Sequence, residues 1–204
     1  MLAEEDGDRD EARTWYLKAA VLDHLGALFN LGLLAAQDGD RGEARTWYLK
    51  AAAFNHPDAL VNLGALAAQG GDRDEARTWY LKAAAFNDAD ALFNLGSLAG
   101  QGGDRDEARN WYLKAAALNH PSALFNLGAL VKDDGDLDEA RTWFLKAAAL
   151  NHPGAIFNLG ALAEEDGDRN AARIWWEQAV DAGSNEAQES LDRLHEKNDG
   201  QPEA

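Results

Sequence analysis

The 204-residue chain carries 36 acidic against 19 basic residues, a net charge of −17, and no cysteine. The absence of thiols excludes disulfides and thiolate metal centres, and the negative field repels phosphate backbones and anionic lipid, so neither nucleic acid nor a membrane surface is an expected partner. No apolar run of about 18 residues is present to cross a bilayer, and the opening residues Met1 to Asp8 lack the basic-then-apolar order of a signal peptide, which makes the cytoplasm the default expectation.

The chain is periodic. Gly-Asp recurs at Gly7, Gly39, Gly71, Gly103, Gly135 and Gly167, each 32 residues after the last, and Asn-Leu-Gly recurs at Asn30, Asn62, Asn94, Asn126 and Asn158 with the same interval. A fixed period of this length marks a repeat architecture. Abundant alanine and few β-branched residues favour helix over strand.

In chain order, residues 2–6 match the end of a first-type helix, as in residues 162–166. Gly7 then marks a turn, and Asp8 with Glu11 forms a D-x-x-E capping box that opens a second-type helix. The same pair returns as Asp40/Glu43, Asp72/Glu75, Asp104/Glu107 and Asp136/Glu139. Ala76, Tyr80, Ala83 and Ala84 fall on one face of such a helix, and Asn87 stands where a left-handed C-terminal residue is expected, as does Gly183 in the last unit.

The first-type helix opens at His56-Pro57, with proline at the first helical position. Leu60, Leu63, Gly64 and Ala67 form its apolar stripe. A mid-helix glycine costs about 1 kcal/mol relative to alanine, so its return at Gly32, Gly96, Gly128 and Gly160 predicts a close approach by a neighbouring helix. Trp79 and Leu81 flank the buried face of the second helix and recur, from Trp15 and Leu17 onward. The expectation is that leucine packs on the following second-type helix and tryptophan on the preceding one. In the last unit the leucine becomes Glu177.

Ser184 caps a closing helix through about His195, where Gln188, Glu189, Ser190 and Asp192 make a polar face, and residues 196–204 are expected to be disordered. The reading is a single solenoid over residues 1–195, with units starting at 7, 39, 71, 103, 135 and 167. Because it starts mid-unit, Trp15 is left uncovered. This points either to a fragment of a longer array or to end-to-end association of copies through Trp15.

Ala59-Leu60-Val61-Asn62-Leu63-Gly64, Gly71-Asp72, Asp74-Glu75-Ala76, Tyr80 and Lys82-Ala83 resemble the tetratricopeptide helix-turn-helix pattern. That family's unit is about 34 residues. The link between pairs, Asn55-His56-Pro57-Asp58-Ala59, is similar to the entry of Sel1-like repeats, so the unit reads as a hybrid of the two. The resemblance implies an all-α, right-handed α-α superhelix of about 12 antiparallel helices with a C-terminal capping helix. For function it implies a scaffold that binds proteins or peptides, not an enzyme.

The resemblance also implies that first-type helices line a concave face. The residues carried onto that face are Phe29, Val61, Phe93, Phe125 and Phe157, beside Asn30, Asn62, Asn94, Asn126 and Asn158. Asparagine donates and accepts at once, so a row of them suits the backbone of an extended peptide, with phenylalanines as apolar pockets. The competing reading has each Asn bonding a neighbouring helix and each Phe packing between units. Few cations accompany the asparagines, Lys132 being the main one, which argues against a carboxylate-terminated ligand and favours a basic or apolar partner.

His24, His56, His120 and His152 recur at the links, but ligands one repeat apart cannot share an ion with bonds near 2 Å. Asp88 and Ser184 replace them, so they are expected as N-caps. Acidic runs such as Glu164-Glu165-Asp166 lack the spaced calcium loop. No metal, cofactor or catalytic constellation is implied. The alternative function is a structural or self-assembling array, natural or engineered, without a peptide ligand.

Overall fold

A computed structural model describes the backbone of residues 2–199 and the side chains of residues 8–194. The described residues form twelve helices and no strand: α1 (Leu2–Ala20), α2 (Leu25–Gln37), α3 (Arg41–Ala52), α4 (Pro57–Gln69), α5 (Arg73–Ala84), α6 (Ala89–Gln101), α7 (Arg105–Ala117), α8 (Pro121–Asp133), α9 (Leu137–Ala148), α10 (Pro153–Glu165), α11 (Arg169–Asp181) and α12 (Asn185–Asp199). The chain divides into two compact units, residues 1–98 and 99–204. In a solenoid each repeat touches only its neighbours, so no core spans the whole array.

Within a pair the turn is set by glycine and aspartate. Between α2 and α3, Gly39 adopts φ +81°, a left-handed conformation that costs glycine nothing. Its N–H donates to the Ala36 carbonyl, and the Asp40 N–H donates to the Ala35 carbonyl at 2.9 Å. Asp40 Oδ1 accepts from the Glu43 N–H at 2.8 Å, and Asp72, Asp104 and Asp136 repeat this cap on Glu75, Glu107 and Glu139.

Only half of the expected capping box forms. The N-cap amide is already spent on the preceding helix, so the glutamate has no donor to reach back to. It turns outward instead.

The link between pairs follows the same logic with asparagine. Asn55, Asn87, Asn119 and Asn151 all have φ near +58°, between +57° and +59°. The next residue is the N-cap: His24, His120 and His152 accept the amide of Ala27, Ala123 and Ala155 on Nδ1 at 3.1–3.3 Å. Asp88 and Ser184 accept equivalently with oxygen. His56 holds the position without the bond, its Nδ1 buried and unpartnered.

The recurring helix glycine is the seat of an aromatic ring from the second helix of its own pair. A Cβ on Gly64 would stand 2.5 Å from Tyr80, and one on Gly128 would stand 2.6 Å from Phe144. Gly32 and Gly160 seat Tyr48 and Trp176. These rings are almost wholly buried, among alanines that bring the helices close. Trp176 also donates its indole N–H to the Phe157 carbonyl at 3.2 Å.

Both ends depart from expectation. α1 runs unbroken through Gly7 and Asp8, so the predicted turn and Asp8/Glu11 box are absent. At the other end α12 extends to Asp199, beyond the expected His195. Ala187, Leu191 and Leu194 are buried while Gln188, Glu189 and Asp192 are exposed, as a capping helix requires; Ser190, expected on the polar face, is instead buried, its hydroxyl accepting from Arg193 at 3.1 Å. Residues 200–204 of the expected tail lie outside the described residues.

Candidate functional site

The first-type helices carry the expected rows. All ten positions, Phe29, Asn30, Val61, Asn62, Phe93, Asn94, Phe125, Asn126, Phe157 and Asn158, are half-buried. Phe29 and Phe125 pack between repeats. Phe29 stacks on His56 with ring centroids 4.7 Å apart, and Phe125 stacks on His152 at 4.6 Å. Phe29 also meets Tyr48, Phe125 meets Phe144, and Phe157 meets Trp176. Val61, where the following cap is Asp88 rather than histidine, packs against Leu60, Ala83 and Ala91.

The asparagines behave differently. Asn158 donates to the Gly154 carbonyl of its own helix at 2.8 Å. Among the described residues, no protein group bonds the side-chain amide of Asn30, Asn62, Asn94 or Asn126. Asn30, Asn62 and Asn94 belong to the first compact unit, Asn126 and Asn158 to the second. Lys132, the cation of this face, lies 4.0 Å from Glu165.

His152 is pushed below the ordinary histidine value by burial and then by the charge of His120, which keeps Nδ1 free to accept the Ala155 amide. Among the described residues, no group of three or more His, Asp or Glu is placed to hold a metal ion. No helix of the described residues is long and apolar enough to cross a membrane.

The second-type helices carry a network that the sequence reading passed over. Each glutamate freed from its capping box accepts the indole N–H of the tryptophan four residues on: Glu43 from Trp47, Glu75 from Trp79, Glu107 from Trp111 and Glu139 from Trp143, at 3.0–3.1 Å. Arg13 reaches Glu43 and Arg45 reaches Glu75, both at 2.6 Å. The Trp47 indole and then Arg13 hold the Glu43 carboxyl below the usual glutamate value; for Glu75 the order is Arg45, then Trp79. The signal was present as glutamate at i−4 and lysine at i+3 of five of the seven tryptophans.

Leucine and tryptophan of successive second-type helices do face each other, but across open clefts. Leu113 and Trp143 line one of about 560 Å³ between α7 and α9; Leu145 and Trp175 line another of about 690 Å³ between α9 and α11. Leu113 and Leu145 stay 41% and 45% exposed, so the expected leucine packing is incomplete. Trp15 is 59% exposed, with Lys18 above its ring.

Profiles described as Tetratricopeptide repeat match residues 1–56 and 93–155, and another of the same description matches residues 57–81. The chain belongs to the tetratricopeptide repeat family. A Sel1 repeat profile matches residues 153–184, in keeping with the hybrid unit. No curated protein sequence matches the chain.

Among solved structures, a Sel1 repeat protein from Oxalobacter formigenes is 28% identical with a TM-score of 0.79, covering 92% of this chain and 85% of that one. The protective antigen c5321 of uropathogenic Escherichia coli is 23% identical with a TM-score of 0.74, over 91% of this chain and 44% of that one. YrrB, described as a tetratricopeptide protein with an unusual peptide-binding site, is 21% identical with a TM-score of 0.56, over 86% of this chain and 96% of that one. These likenesses place the fold among α-α solenoids. Tetratricopeptide repeat proteins generally serve as non-catalytic scaffolds that bind proteins or peptides.

Proposed function

We propose that the chain is a protein-interaction scaffold that takes an extended peptide along its first-type helices and catalyses nothing. The observation that carries this is the set of half-buried asparagine amides left without protein partners at Asn30, Asn62 and Asn94 in the first unit and Asn126 in the second. A half-buried amide with unused donors and acceptors suits an incoming backbone. The phenylalanines beside them are committed to packing against histidine caps and pair aromatics, so they offer ring edges rather than empty pockets. Charge favours a basic or apolar partner.

The test is selection of binders from a random peptide library against the parent chain. Peptides so selected are expected to lose at least tenfold in affinity for Asn30→Ala/Asn62→Ala/Asn94→Ala, with the helical circular dichroism unchanged. Unaltered affinity sinks the asparagine row as the binding element.

A second reading has its own observation. Trp15, Val21 and Leu22 are 59%, 82% and 83% exposed, which suits pairing of two copies through this side. A mass that stays monomeric in light scattering at high concentration eliminates it.

A further inference from the structure

Five tryptophans of the repeating row are satisfied by their own helix. Trp15, Trp47, Trp79, Trp111 and Trp143 each donate the indole N–H to a glutamate four residues earlier, at 3.0–3.2 Å. Each also has a lysine ammonium, three residues later, 3.9–4.3 Å from its ring centroid. Trp175 is the sixth of the row and has neither. Ala171 stands at the glutamate position and Gln178 at the lysine position. Among the described residues no acceptor takes its indole N–H.

Trp175 lines the cleft of about 690 Å³ between α9 and α11, with Leu145, Ile156, Gln178 and Asp181. In the equivalent cleft between α7 and α9 these last two positions are Lys146 and Ala149. The final repeat has therefore lost the cation that occupies a tryptophan face elsewhere and gained a carboxylate beside the vacated place. Nearby cations are otherwise engaged: Lys146 lies over Trp143, Arg141 pairs with Asp166, and Arg173 pairs with Glu177.

We propose that this cleft binds a lysine or arginine side chain of a protein partner. The cation sits over the Trp175 face, where the ring quadrupole attracts it, and pairs with Asp181. Its aliphatic stem lies along Leu145 and Ile156, leaving the Trp175 N–H to donate to a partner carbonyl. A net charge of −17 draws a basic segment towards the chain. Leu145, Trp175 and Asp181 lie on second-type helices and Ile156 on α10, and no residue of the asparagine rows lines the cleft.

The test is a titration of the full chain with a capped Leu-Lys-Leu tripeptide, followed by the tryptophan indole resonances in 1H–15N spectra. The Trp175 resonance is assigned by its loss in Trp175→Phe. It is expected to shift alone and saturably, and a norleucine analogue is expected not to move it. Asp181→Asn is expected to weaken binding at least tenfold. Gln178→Lys, which puts back the lysine that the other repeats carry at this position, is expected to abolish it with the helical circular dichroism unchanged. Binding unchanged in Gln178→Lys and Asp181→Asn, equal shifts of all indoles, or no shift at millimolar peptide would each overturn the proposal. The asparagine triple variant is expected to leave the shift intact, which separates this site from the peptide groove.

Discussion

Gly7-Asp8 and Gly39-Asp40 are the same dipeptide, each followed three residues after the aspartate by glutamate, yet one lies inside a helix and the other makes a turn. At Gly39 the preceding helix folds back, and its Gly32 receives the Tyr48 ring, which is 2% exposed. Among the described residues no glycine receives the Tyr16 ring, which stays half-buried. The dipeptide therefore permits a turn and does not impose one. The aromatic seat supplies the energy that selects it.

The largest expected effect tests the seat itself. Gly64→Ala places a Cβ 2.5 Å from the Tyr80 ring, and overpacking of this kind costs about 2–3 kcal/mol. Urea denaturation is the measurement. A loss below about 0.5 kcal/mol would show that the ring moves aside freely and that the seat does not select the turn.

Next comes a pair of substitutions expected to differ in sign. Gly39→Ala forces alanine into φ +81° and is expected to destabilise by about 1–2 kcal/mol. Gly7→Ala, inside α1, is expected to stabilise by about 0.5–1 kcal/mol, because glycine is a poor helix interior residue. Equal losses for both would mean that Gly7 forms a turn after all.

The smallest effects concern protonation. Glu43 has a folded pKa below its unfolded value, so its contribution is present above the ordinary glutamate range and lost as pH falls through the folded value. A partly exposed pair of this kind contributes about 0–1 kcal/mol. His152 is likewise depressed, so its contribution is complete above the ordinary histidine value and disappears on acidification through the folded one. Chemical denaturation at a series of pH values is expected to show His152→Ser removing the histidine part of this dependence, since Ser184 already serves as a cap without titrating there. A pH slope unchanged by His152→Ser would break the assignment of Nδ1 as the cap.

Much of this was legible in the 32-residue period because the signals are local. Histidine caps, left-handed asparagines and the ring-seating glycines depend on residues within one pair and its links. The Glu43 capping box was misread because the Asp40 amide is consumed by the Ala35 carbonyl, a bond that belongs to the preceding helix. The clefts beside Trp143 and Trp175 escaped notice for a different reason. Opposing leucine and tryptophan positions show that two helices face each other, but not how far apart alanine-sized neighbours leave them. In the candidate groove, the residue types were readable, while the division of labour was not: phenylalanine went to packing and asparagine, except Asn158, stayed free.

Each turn and each link is closed by backbone bonds between residues at most five apart, as when the Asp72 N–H meets the Ala67 carbonyl and the His152 N–H meets the Ala147 carbonyl. Joints of this kind do not register which copy stands on either side. A gene that loses or duplicates one whole copy therefore rejoins two matching seams, so the array can shorten or lengthen by crossing-over without inventing a new junction. Copy number becomes heritable variation in its own right, while a slip of any other length would put the ring of one helix against a residue that cannot seat it.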